Sequence, residues 1–207
     1  MADKLDRRQV RTKQLLYEAL MSLIEERGSD NITVTDIANR ANVNRGTFYL
    51  HYRDVDDMLQ QLKDDVFEHV RAYVEQLNIM EAISYADRED VYPPSVKIFE
   101  AFAEHADFLR VMCGPNGDSS YLSRFRDLMA SRIKEMLKSI TEDQYRLPPD
   151  YLIAYMSSAN LGVLLHWLQM GMNQTPTQMA KLMARVINYG PLVSLGIKKP
   201  LAAGTQK

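Results

Sequence analysis

A single cysteine, Cys113, stands in 207 residues, so no intrachain disulfide can form and no CxxC zinc or redox motif exists. HExxH, GxGxxG and GxxxxGK[ST] are also missing, which removes the commonest metalloprotease, dinucleotide and P-loop readings. His69, His105 and His166 have no neighbours at metal-ligand spacing, so no metal site is expected. No nucleophile, base and orienting group can be assembled from the sequence, so neither an enzyme nor a cofactor is expected. The opening MADKLDRRQVRTKQ has no apolar core, so a secretory signal is not expected and the cytoplasm is the expected location. Neither sign of charge dominates: 25 Lys and Arg against 27 Asp and Glu leave a formal net charge of −2. Overall charge therefore cannot hold nucleic acid, and any such contact must be local. What remains is an ordinary globular composition, 46% hydrophobic and 25% charged, long enough for one or two small domains and a core that needs no covalent staple.

Local charge is uneven. Lys4, Arg7, Arg8, Arg11 and Lys13 face one acid, Asp6, within ten residues. Through Arg53 there are nine basic and seven acidic residues, against 16 and 20 in the rest of the chain. The N-terminal segment is the favoured face for a polyanion; a solvated helix start is the competing reading.

Apolar spacing of three and four recurs and strand signals are few, so the fold class is all-α. Leu15, Leu16, Ala19, Leu20, Leu23 and Ile24 form a helical stripe that Gly28 ends. Thr33-Val34-Thr35-Asp36 reads as a capping box opening a short second helix. Asn42 suits a left-handed turn, and Asn44 can cap a third helix from Arg45 to Tyr52. Two short helices joined by about three residues form a helix-turn-helix. Asp54 caps a fourth helix, and no glycine or proline interrupts Val55 to about Ile83, so one long element is expected to link the two halves of the molecule. Domain boundaries follow: a helix-turn-helix domain with a basic arm over 1–53, a helical bundle over 54–197, and a disordered tail over 198–207.

Between Tyr151 and Ala180 there is no Asp, Glu, Lys or Arg. Ser157, Ser158, Asn160, His166 and Gln169 within it, and the lack of a basic flank, argue against a membrane span. A helix apolar nearly all round is buried on two sides, and the expected second surface is another copy of the chain, making a homodimer. Ala154, Ser158 and Gly162 recur every four residues and allow close approach, while Met179, Met183 and Val186 place the last helix, about Pro176 to Tyr189, in the same interface. Phe99, Phe102, Met112, Phe125, Met129, Tyr155 and Trp167 suit an adaptable effector pocket, and ordinary core packing explains them equally well.

The run Ile32 to Tyr52, with Thr-Val-Thr-Asp-Ile-Ala at its start and Gly-Thr-Phe-Tyr-Leu-His-Tyr at its end, resembles the DNA-binding domain of the TetR family of bacterial transcriptional regulators over about residues 8 to 60. Phe108 to Val111, the Gly114-Pro115-Asn116-Gly117-Asp118 turn and the Trp167 helix are similar to a subgroup typified by the dihydroxyacetone-kinase regulators. The resemblance implies a homodimer that binds a double-stranded operator, with a C-terminal domain that often takes a small effector; some members of the subgroup act with a partner protein, which is the alternative reading.

A helix-turn-helix sets its second helix in the major groove, first residues nearest the bases. Arg45, after Asn44, is thereby placed for guanine O6 and N7, and Gly46 permits close backbone approach. Thr47, Tyr49 and His51 offer donors to phosphates, as the matching family positions do, while Phe48 and Tyr52 face the core. Leu50 meets a thymine methyl or packs inside the domain. Thr33 and Thr35 add phosphate contacts with help from exposed backbone N–H groups. Where the family often has a lysine, this chain has Val55 among Asp54, Asp56 and Asp57, acids that suit a helix N-terminus and repel phosphate.

Overall fold

The computed structural model describes residues 2–88, 90–139 and 147–197, without the side chains of 2–6 and 119. The 198–207 tail and the Lys4 side chain lie outside them. Among the described residues there are ten helices and no strand. They are α1 (Ala2–Arg27), α2 (Val34–Arg40), α3 (Arg45–Tyr49), α4 (Val55–Val74), α5 (Ile79–Asp87), α6 (Pro93–Glu104), α7 (Ala106–Met112), α8 (Ser119–Leu137), α9 (Pro149–Gln169) and α10 (Pro176–Ser194). The chain groups into two compact units, residues 1–69 with 105–125 and residues 70–104 with 126–207.

In the first unit the apolar stripe of α1 supplies the core. Leu16, Leu20 and Ile24 are sealed from solvent, and Ala19 and Leu23 are buried beside them; Leu15 stays partly open at the stripe's edge. Gly28, at φ +82°, ends the helix and returns its N–H to the Ile24 carbonyl at 2.8 Å. α7 packs against α1, and the turn after α7 is tied to the same helix: the Asn116 side-chain amide donates to the Glu25 carbonyl at 3.0 Å. Gly117 has no room for a side chain, since a Cβ there would stand 2.1 Å from the Met112 carbonyl oxygen. Asp118 then accepts from Lys63 of α4 at 2.7 Å, and the buried Tyr121 hydroxyl donates to the Lys63 carbonyl at 2.9 Å.

The expected long fourth helix is two helices. α4 stops at Val74, and α5 starts at Ile79 behind Asn78, whose side-chain oxygen accepts from the Glu81 N–H at 3.1 Å. An asparagine cap satisfies the first N–H groups of a new helix and so makes a break without glycine or proline. The third helix is also shorter than expected, closing at Tyr49 with Leu50 as its C-cap. α6 opens at Pro93, and α7 takes His105 as its N-cap. Proline at the first helical position loses no hydrogen bond, which is why the helix begins there.

The second unit is built around α10, which packs against α5 and α6. α9 buries Ser157, Leu164, Trp167 and Leu168; the Ser157 hydroxyl donates back to the Ile153 carbonyl and the Trp167 indole to the Gln174 carbonyl, at 2.8 and 2.9 Å. α10 runs past Tyr189 to Ser194 with a kink at Gly190, φ +72°, just before Pro191, which cannot donate a helical hydrogen bond. Among the described residues no helix is long and apolar enough to cross a membrane.

Candidate nucleic-acid interface

The interface is set by short-range chemistry in 20 residues. Thr33 accepts from the Asp36 N–H while the Asp36 carboxylate accepts from the Thr33 N–H and hydroxyl, a reciprocal box that starts α2. These bonds to Thr33, with Arg27 at 2.8 Å, hold the Asp36 carboxyl below its usual range. α2 buries Ile37 and Ala38. Asn42, at φ +52°, reverses the chain, and the Val43 N–H closes the turn on the Ala38 carbonyl at 2.9 Å. Asn44 occupies the N-cap of α3 without a side-chain capping bond, leaving its amide available.

α3 then divides by face. Phe48 is fully buried and Tyr52 nearly so, packed with ring centroids 5.6 Å apart. Asn44, Arg45 and Gly46 are exposed, Thr47 and His51 half-buried, and Tyr49 is half exposed. Leu50 is 80% exposed, which decides between the two readings of that residue: it does not pack inside the head. A Cβ built on Gly46 meets nothing, so the backbone there is approachable. The Arg45 guanidinium stands 3.5 Å from the Tyr49 hydroxyl, one turn on along the same exposed face. Thr33 and Thr35 are exposed at the start of α2.

Positive charge reaches this face from α1. Arg8, Arg11 and Lys13 are exposed on a continuous helix, so the basic arm is the first part of α1. The Lys13 ammonium lies 5.9 Å from the Tyr52 ring centroid. Burial, then the Lys13 charge, lowers the His51 pKa. Two of the three acids at the start of α4 are internally engaged: Asp54 accepts from the Asp57 N–H at 2.7 Å, and Asp57 accepts from the Arg53 N–H at 2.9 Å and pairs with its guanidinium at 3.2 Å. That pairing offsets part of their repulsion of phosphate and leaves most of the Arg53 side chain in solvent.

The residues considered for an effector pocket fall in both units. Phe99 and Trp167 meet edge to face at 5.6 Å in the second unit, where Phe102 is also buried, Met129 is half-buried and Tyr155 is 58% exposed. Met112 and Phe125 belong to the first unit, where Phe125 packs against Phe67 and Tyr121. Ala154, Ser158 and Gly162 form an exposed strip on α9; on α10 Met179 is buried and Met183 and Val186 are half-buried. Burial pushes the Cys113 thiol up to about 12, the opposite of a reactive thiolate. His69 and His105, 36 residues apart, stand with ring nitrogens 2.7 Å apart; spacing along the chain carried no signal of that pair, because two helices bring it together.

A short helix that buries its aromatic side and exposes Arg45 and Tyr49, set behind a left-handed asparagine turn, defines a helix-turn-helix regulator by its fold. The sequence agrees. Residues 16–62 match the family described as bacterial regulatory proteins, tetR family, and residues 89–189 match a transcriptional regulator C-terminal region of the same group. The chain belongs to the TetR family. A curated relative, the uncharacterized HTH-type transcriptional regulator YxbF of Bacillus subtilis (strain 168), is 25% identical over 158 residues, 73% of this chain and 38% of that protein's length. A TetR transcriptional regulator from Streptococcus agalactiae 2603V superposes with a TM-score of 0.57 at 26% identity, covering 90% of this chain and 99% of that one. The fold is shared too with the regulator FadR from Bacillus subtilis, solved in complex with stearoyl-CoA, at a TM-score of 0.54 and 17% identity over 86% of this chain and 98% of that one.

Proposed function

We propose that this chain is a cytoplasmic, homodimeric transcriptional regulator, not an enzyme, that reads duplex DNA with α3 and changes its DNA affinity when the C-terminal region takes a small effector. By role, residues 1–53 are the reading head and 54–197 the effector and dimerisation region. The observation that carries the reading is the division of α3: Phe48 fills the core, with Tyr52 just past the helix, and the residues left outside, Tyr49 among them, are those with base- and phosphate-reading chemistry. Arg45 supplies the bidentate donor for guanine, and Leu50 an open apolar contact for a thymine methyl. Thr33, Thr35, Asn44, Thr47, Tyr49 and His51 supply neutral donors that set register on phosphates. Gly46 lets the backbone come close.

Two copies are proposed to meet through the uncharged outer strip of α9, Ala154, Ser158 and Gly162, extended by Met183 and Val186 of α10; Met179 is already buried within the single chain. Support comes from Tyr151 and Tyr155, 77% and 58% exposed on an α9 that carries no charge after Asp150. Large aromatics open to water on such a surface mark an interface. Effector binding is supported by the FadR complex and by the apolar and aromatic side chains of the second unit, with Phe99, Phe102, Met129, Tyr155 and Trp167 as its proposed contacts.

The test is a fluorescence-anisotropy titration on duplexes from the region upstream of the gene itself. Specific regulators bind with Kd on the order of 10⁻⁸ M or tighter at physiological salt. Saturable binding in that range to one duplex, weakening steeply with salt, is expected; equal micromolar binding to every duplex would contradict sequence reading.

A further inference from the structure

We infer that His69 and His105 form a divalent-metal site in the first unit, suited to an ion of the zinc, cobalt or nickel type. His69 lies on α4, and His105 is the N-cap of α7. Nδ1 of His69 and Nε2 of His105 are 2.7 Å apart, with the rings nearly perpendicular at 89° and their centroids 4.9 Å apart. Both side chains are half-buried, which orders them and still leaves a path for water.

The geometry is that of a hydrogen bond an ion can replace. In the metal-free state an N–H of one ring donates to the bare nitrogen of the other. A zinc ion bound at about 2.0–2.1 Å to each nitrogen, with a tetrahedral angle, needs them roughly 3.3 Å apart. The rings therefore have to part by only about half an ångström. Imidazole pairs favour zinc, copper, nickel and cobalt over magnesium and calcium, which take oxygen ligands. Each ring keeps its second nitrogen to hold a partner that fixes tautomer and orientation. Water completes the coordination on the open side. Because the two ligands come from helices joined by a long stretch of chain, an occupied site cross-links α4 to α7 within the first unit. The inference does not depend on DNA binding, and its test contains no DNA.

The untagged full-length protein is treated with a chelator, dialysed, and titrated with Co²⁺ followed optically and with Zn²⁺ followed by calorimetry. One ion per chain is expected, with Co²⁺ absorption that Zn²⁺ displaces. His69→Gln and His105→Gln should each weaken binding by about tenfold or more, as loss of a ligand does at least as much as loss of its outer-shell support. His166→Gln, outside the site, should bind like the wild type. If the wild type takes no ion at millimolar metal, or if the folded His69→Gln and His105→Gln proteins bind unchanged, the inference is overturned. Hydrogen exchange on the wild type decides independently of those variants: zinc-dependent protection centred on α4 and α7 supports the site, and protection elsewhere, or none, overturns it.

Discussion

Gly46 and Gly117 are glycines for opposite reasons, one facing open space and the other pressed against backbone. A methyl on Gly117 would sit 2.1 Å from one carbonyl oxygen and 2.5 Å from another, neither on a flexible side chain. Gly117→Ala is expected to destabilise by about 2 kcal/mol or more, read as a lowered urea midpoint. Gly46→Ala is expected to leave stability unchanged or raise it by up to about 1 kcal/mol, since alanine is the better helix former, while weakening DNA binding if the backbone approaches the duplex there. The same turn gives a pH signature. Lys63, then Ser120, holds the Asp118 carboxyl at about 2, below the ordinary 3.8. A depressed acid stabilises the fold above its unfolded pKa and loses that contribution as pH falls through the folded value. Asp118→Asn should therefore cost up to roughly 2 kcal/mol at neutral pH, with the gap to wild type closing between about pH 4 and pH 2; a gap that persists at pH 2 would assign the loss to packing. Much of this scale was legible in sequence. Phe48 and Tyr52 face the core as their spacing requires. The openness of Leu50 and the meeting of His69 with His105 were not legible, because both depend on where helices end or cross.

Helix starts were easier to read than helix lengths. The Thr33–Asp36 box and the left-handed Asn42 follow from side-chain chemistry within four residues, and the structure has both. Thr33→Ala should cost about 1 kcal/mol of stability, measured by thermal unfolding, and Thr33→Ser should restore most of it. Loss of the same size in both would show that the methyl group, not the hydroxyl cap, is what matters. The break between α4 and α5 was missed because glycine and proline are the strong punctuators and neither is present. The signal that was there is Asn78 followed three residues on by Glu81, a capping pattern inside an otherwise helical run. The kink at Gly190 had the stronger signature, a glycine followed by proline.

For the whole molecule, near-zero net charge makes position decide partners. Of the exposed cations of α1, Lys13 reaches the reading head at Tyr52, and the uncharged strip of α9 lies apart in sequence, over 151–162. Gly162 tests the second surface cleanly, because a Cβ there meets nothing in the single chain. Gly162→Arg should fold normally yet sediment as a monomer, since a buried unpaired charge costs several kcal/mol; an intact dimer would move the interface elsewhere. The central claim, that paired α3 helices read DNA, is tested most directly by selection of bound duplexes from a fully randomised pool, run with the wild type and with Arg45→Ala. A two-fold symmetric sequence should be enriched, with half-sites about one helical turn or a multiple of it apart, and Arg45→Ala should lose preference at one guanine per half-site at a cost of about 1–3 kcal/mol. Enrichment of no symmetric sequence by a folded protein, or an unchanged preference in Arg45→Ala, would contradict it.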